Sequence, residues 1–281
     1  LGWGIGNPQD PLWLSTRVHA NVCVVLSRAG GRGLWTLSFL RNAGEGRDLT
    51  LTRCEESFDR REWQQCQQGQ ALAYRFLAQC FYQVPAASWL SALGEEGLFE
   101  SWPFRSETEP ANAGLTVLGA YCAQWDPSQL KELEWDFNRL FVGPGEMLAP
   151  PWESVHHSKT KLIFQDSTLS VRQLYQEFGW QAPAIHREPD DHLALELAFL
   201  AQVSEQAVSA DEQAGPTDID RCLGAQRTIL KEHLLRWAPV CLALVDTHAE
   251  TDYYRGVARL TLGSLAESAC LCGLPVEFVH S

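Results

Sequence analysis

Between Leu130 and Val155 the chain reads LKELEWDFNRLFVGPGEMLAPPWESV, a helix that must stop and a loop that can scarcely bend. Leu130, Leu133, Phe137, Leu140 and Phe141 recur at helical spacing and predict an apolar stripe, with Asp136, Asn138 and Arg139 off it. Gly143 and Pro144 then end the helix. Glycine accepts the left-handed conformation past a helix terminus, and proline cannot extend the hydrogen-bond ladder. Pro144, Pro150 and Pro151 hold the following chain extended, with Gly145, Met147, Leu148 and Trp152 between and after them. A stiff loop with such side chains either packs onto a core or keeps an apolar surface for a partner.

The rest of the chain from Phe58 onward is patterned as helices. Arg60 to Tyr82 places Trp63, Cys66, Ala73, Leu77, Cys80 and Phe81 on one face, with glutamines and arginines elsewhere, and Pro85 lies beyond its end. Shorter helices are predicted at 86–93, 95–101 and 113–123, with Gly94 as a break and 107–112 as a loop. Ser128 to Val142 follows, introduced by Asp126 and Pro127. Ser167 to Phe178 is predicted with Leu169, Leu174 and Phe178 inward and Gly179 as its stop. The next helix runs from Pro189 to about Ser209, and 210–218 reads as a loop. Helices at 219–235, 238–247 and 252–271 complete the chain, with Trp237, Tyr253 and Tyr254 as packing residues. Alternating or β-branched runs are few, so the expected class is all-α.

Residues 1–53 have a different character. They hold eight of the 21 glycines and six arginines against three acids, with no convincing amphipathic helix. Val22 to Leu26 suits a strand but has no obvious partner. The expected organisation is a loosely ordered N-terminal extension, 1–53, before a single globular helical domain, 54–281.

The net charge of −13 is therefore concentrated after residue 53. Such a body repels nucleic acid and anionic membrane and attracts cationic ligands. No apolar run is long enough to predict a transmembrane helix. The nine cysteines include no CxxC, so they read as small core hydrophobes in a reducing, cytoplasmic setting. His156 and His157 lack further ligands at metal-site spacing. HExxH, GxSxG, GxGxxG and GxxxxGK[ST] do not occur, so no enzyme class, metal or cofactor is indicated.

The second notable block is Glu188-Pro189-Asp190-Asp191-His192. Proline suits the first helical position, and carboxylates there meet the positive end of the helix dipole, which is sufficient structural reason for them. Two acids and a histidine nevertheless exceed what capping needs. The dipole should hold His192 in its neutral form. If this acidic tip lies beside the proline loop, the two make a cleft with an apolar wall and an acidic rim.

RLFVGP followed by APPWES, and then EPDDH, resembles in order and separation the two signatures of the TorD/DmsD family of redox-enzyme maturation chaperones. The likeness runs from about Phe58 to the C-terminus. It implies an all-helical chaperone that binds the twin-arginine signal peptide of a molybdenum reductase catalytic subunit, most like a dimethyl sulfoxide reductase, until cofactor insertion is complete. It also implies Asp191 and His192, helped by Glu188, for the polar part of the peptide. Phe137, Leu140, Phe141, Pro151 and Trp152 would form or support the apolar side. Phe137 stands where Tyr or Trp is common in the family, so only an apolar contribution carries over. The resemblance further implies contact with the molybdenum cofactor or a guanine nucleotide, for which no motif supplies a place. A hydrolase using Asp191 and His192, and a structural assembly subunit with the Trp152 loop as its interface, are the rival readings.

Overall fold

The computed structural model describes residues 25–28, 35–38, 56–57, 60–103, 108–157, 163, 166–182, 188–213 and 216–275. The boundary at 53/54 and most of the N-terminal extension lie outside these. Three short strands precede the helical body: β1 (Val25–Arg28), β2 (Trp35–Ser38) and β3 (Glu56–Ser57). They pair antiparallel in the order β1-β2-β3, with Val25 opposite Ser38 and Leu37 opposite Glu56. The strand expected at 22–26 thus forms slightly later and has a partner in β2.

The body is all-α. It comprises α1 (Arg60–Tyr82), α2 (Ala87–Glu96), α3 (Glu109–Ala123), α4 (Leu130–Phe137), α5 (Glu153–His157), α6 (Asp166–Glu177), α7 (Leu193–Gln213), α8 (Pro216–Thr228), α9 (Leu235–His248) and α10 (Asp252–Leu271). Short 3-10 turns occur at Leu98–Ser101 and Pro127–Gln129. π-Helical segments continue α4 through Asn138–Val142 and link α8 to α9 through Ile229–Leu234. No described helix is long and apolar enough to cross a membrane.

α7 is central because it is apolar on nearly every side. Leu193, Leu197, Phe199, Leu200 and Val203 have no exposed surface. α1 and α8 pack along it, while α10 packs against α3 and α9. Trp237, Tyr253 and Tyr254 are fully buried, as their packing assignment requires. Not all buried positions are apolar. Gln226 Nε2 donates to Gln67 Oε1 at 2.7 Å and Ser204 Oγ at 3.1 Å, and Gln70 Nε2 donates to Ser268 Oγ at 3.1 Å. The α1 glutamines that periodicity sends to solvent thus fasten α1 to α8, α7 and α10.

Several boundaries differ from the sequence expectation for identifiable reasons. Gly94 does not break α2; a Cβ there would lie 2.5 Å from the Cys122 carbonyl oxygen, so the glycine permits close approach to α3. Gly97, at φ 62°, is the actual stop. Helix α3 begins at Glu109 rather than 113, with Pro110 in its first turn, where a missing N–H costs nothing. Leu169 is 60% exposed; Thr168, Val171, Leu174 and Tyr175 form the buried side of α6. Part of the predicted 210–218 loop is helical, because α7 extends to Gln213. Asp136, expected off the buried stripe, has no exposed surface and accepts bonds from the turn before α10.

Candidate functional site

The proline loop and the acidic block meet directly. Gly143 has φ 107°, a conformation suited to glycine, where the π segment ends. The loop then folds back on that segment, with Leu148 N donating to Arg139 O at 3.3 Å and Ala149 N to Leu140 O at 3.0 Å. After Pro151 it runs antiparallel to Asp191–Leu193. Glu153 N donates to Asp191 O at 2.9 Å, and Leu193 N donates to Pro151 O at 2.8 Å. Trp152 and His192 form the bridge between these bonds. Their rings stand edge to face, with centroids 5.7 Å apart.

The block itself is not the first turn of α7. That helix starts at Leu193, and His192 O accepts from Leu195 N and Glu196 N at its threshold. The acids act through specific bonds rather than through the dipole. Asp191 has no exposed surface; Oδ2 accepts from Ser154 N and Oδ1 from Thr168 Oγ1, each at 2.8 Å. Asp190 Oδ2 accepts from Arg172 Nε at 2.7 Å, and its backbone oxygen accepts from Tyr175 OH at 3.0 Å. Together they fasten this strand-like segment to α5 and α6.

Glu188 is the half-buried carboxylate of the block, and its Oε1 accepts from Trp152 Nε1 at 2.7 Å. Burial raises its pKa; the Trp152 bond opposes that rise, and Asp191 adds to it. His192 is driven down to about 3 by burial, so its ring is neutral at ordinary pH, for a reason other than the helix dipole. Its Nδ1 accepts from Ala194 N at 3.0 Å. Tyr82, at the end of α1, lies on its other side at 6.2 Å. Burial raises the Tyr82 phenol, with a further contribution from Glu188. Trp152, His192 and Tyr82 therefore form an aromatic row beside one accessible carboxylate.

The expected apolar wall divides into two parts. Phe137, Leu140 and Phe141 are buried; Phe141 packs edge to face with Phe81 at 5.8 Å and Phe137 at 5.2 Å. Pro151 is buried as well, so these four support from within. Met147, Leu148 and Trp152 are the half-buried apolar residues of the loop. Tyr82 is absent from the sequence reading because only its adjacency to Phe81 is legible there, not its place beside His192. The helical start at Glu153 is likewise unannounced, and the stretch ends as α5 rather than as a loop.

Beneath the loop lies Glu196, fully buried. Oε2 accepts from Trp237 Nε1 at 3.4 Å, while Oε1 has no partner. Burial, then Glu153 and Asp191, raise its pKa well above the usual carboxylate range. A raised folded-state pKa gives stability that is complete below the unfolded value of 4.5 and is lost as pH climbs toward the folded value. Glu196→Gln removes this loss. Chemical denaturation should show E196Q more stable than the parent by about 1–3 kcal/mol at pH 8. The difference should close below pH 4.5, where the parent carboxyl is protonated in both states.

The acid and histidine of the block do not form a relay, since Asp191 and His192 Nδ1 are engaged elsewhere. His156 bonds Pro150 O at 2.8 Å and His157 approaches Glu153 Oε1 at 3.3 Å, so the adjacent histidines face different partners. Among the described residues no group of three or more His, Cys, Asp or Glu is placed to hold a metal. The partnerless Ser154 Oγ and Glu196 Oε1 belong to enclosed residues.

Comparisons with known proteins place this architecture in a class. The profile of the family described as nitrate reductase delta subunit matches residues 105–243. The Tat proofreading chaperone DmsD of Salmonella typhi is 27% identical over 210 residues, covering 73% of this chain and 92% of its own. The probable Tat proofreading chaperone DmsD of Haemophilus influenzae is 29% identical over 131 residues, 47% of this chain and 57% of its own. Chaperone protein TorD of Aliivibrio salmonicida is 31% identical over 128 residues, 46% of this chain and 58% of its own. These relatives bear the names of chaperones rather than enzymes, so the class is a helical maturation chaperone. The chain is similar, over nearly three quarters of its length, to chaperones of the TorD/DmsD family.

Proposed function

We propose that this protein binds the twin-arginine signal peptide of a redox enzyme and holds the enzyme back from export during cofactor insertion. The observation that carries the reading is the half-buried Glu188 carboxylate, oriented by Trp152 Nε1 and bordered by Trp152, His192 and Tyr82. A guanidinium pairs with a carboxylate through charge-assisted bonds and stacks on aromatic faces, which an ammonium does less well. Glu188 Oε2 is the acceptor for an arginine of the leader. Met147, Leu148 and Trp152 receive the apolar segment that follows, on a floor of Phe137, Leu140, Phe141 and Pro151. Asp191 and His192 set the floor and the loop in position. Apolar contact supplies most of the affinity, and the charge pair supplies selectivity.

The client is proposed to be the catalytic subunit of a molybdenum reductase of the dimethyl sulfoxide reductase kind, met in the cytoplasm. Similarity to proteins named DmsD supports that choice. Calorimetric titration with such a leader, and with the same peptide carrying two lysines, tests the reading. The arginine peptide should bind more tightly by about 1 kcal/mol, roughly five-fold. Equal affinity, or no binding of either peptide, would overturn it.

A further inference from the structure

Next to the Trp152–His192 bridge, three side chains from separate elements fall into line. His233, in the π-helical segment between α8 and α9, is 4% exposed, and its Nδ1 lies 2.8 Å from Glu153 Oε2. Its Nε2 lies 3.5 Å from the hydroxyl of Ser170, which is exposed on α6. As a carboxylate Glu153 only accepts, so Nδ1 carries the ring hydrogen and Nε2 presents its lone pair to Ser170. The serine contact is long for a hydrogen bond, as nucleophile–base contacts often are before a substrate compresses them.

We propose that Ser170 is an activated nucleophile, with His233 as its base and Glu153 orienting that base, and that it accepts an acyl or phosphonyl group from an activated donor. In the transfer, Ser170 Oγ forms a bond to the electrophilic carbon or phosphorus. The bond to the leaving group breaks, and its electron pair departs with that group. The hydroxyl proton passes to His233 Nε2, and the resulting cation is held against Glu153. Leu169, 60% exposed and adjacent in sequence, offers apolar contact to the donor. Ser170 lies past the first turn of α6, where backbone N–H groups are used within the helix, so they provide no oxyanion site. Transfer onto the serine, without rapid turnover, is the expected chemistry.

The test is incubation of the folded protein with a fluorophosphonate, followed by peptide mass mapping. The adduct should form at Ser170 at least about 100-fold faster than at Ser88, an exposed serine on α2. Ser170→Ala should abolish it, and His233→Gln or Glu153→Gln should bring labelling of Ser170 down to the Ser88 rate. Circular dichroism identifies whichever buried variant retains its fold. Labelling of Ser170 no faster than Ser88 in the unaltered protein would overturn the proposal, whatever the variants do. So would undiminished labelling in a folded His233→Gln protein.

Discussion

Asp191→Ala lowers folding stability by about 2–4 kcal/mol, because it leaves Ser154 N and Thr168 Oγ1 as donors without their carboxylate in a sealed site. Urea denaturation reads this directly. Asp191→Asn recovers part of the loss, since the amide oxygen still accepts one bond while its NH2 group faces the second donor. Removing a buried carboxylate near Glu196 relieves some repulsion, which keeps the expected loss below that of a broken ion pair. Leader affinity falls together with stability, because Asp191 holds the start of α5 and thereby Trp152. Glu188→Gln is the contrasting case: its carboxylate is half-buried, so binding weakens while the denaturation midpoint stays within about 0.5 kcal/mol of the parent. A loss of binding in Asp191→Ala with unaltered stability would instead make Asp191 a direct peptide contact.

Asp136→Ala has the larger expected effect, about 3–5 kcal/mol by the same measurement. Asp136 Oδ2 accepts from Glu250 N at 3.0 Å and from Thr251 N and Oγ1 at 2.8 Å, while Oδ1 accepts from Arg139 Nη2 at 3.0 Å. The N-terminus of α10 has no side-chain cap of its own at Thr251, so a residue from α4 supplies one across the fold. Truncation leaves two backbone donors unpaired and strips the buried side of Arg139 of its anion. The remaining Arg139 contacts, to His248 O at 2.5 Å and to the exposed Glu250 Oε1 at 3.4 Å, are not enough to hold the α9–α10 corner. A midpoint unchanged by Asp136→Ala would mean that the corner is fixed by packing rather than by this carboxylate.

These two aspartates show where sequence reading succeeds and where it stops. Apolar periodicity locates α1, α7 and the stripe from Leu133 to Phe141, because burial of one helical face is written at fixed spacing. The sequence poses the meeting of the loop and the acidic block only as a condition, and the Trp152–His192 bridge joins them. Periodicity is silent on which polar residues go inside. Asp136 occupies an ordinary polar position on α4, and its partners at Glu250 and Thr251 lie more than 100 residues away. Asp191 and Glu188 read as equivalent helix-start acids, yet one is sealed and the other accessible. Their difference comes from α5 and α6, elements that donate to Asp191 from outside the motif. Leu169 fails in the opposite direction, an apolar residue left in water because Thr168 takes the inward position to reach Asp191.

The central claim concerns one carboxylate and one kind of cation. A double-mutant cycle measures it most directly: the parent protein and its Glu188→Gln variant, each titrated with a leader carrying its arginines and with one carrying lysines in their place. The account predicts a coupling of about 1 kcal/mol, so that Glu188→Gln costs roughly five-fold for the arginine peptide and much less for the lysine peptide. A coupling of zero, with Glu188→Gln weakening both peptides equally or neither, would contradict it.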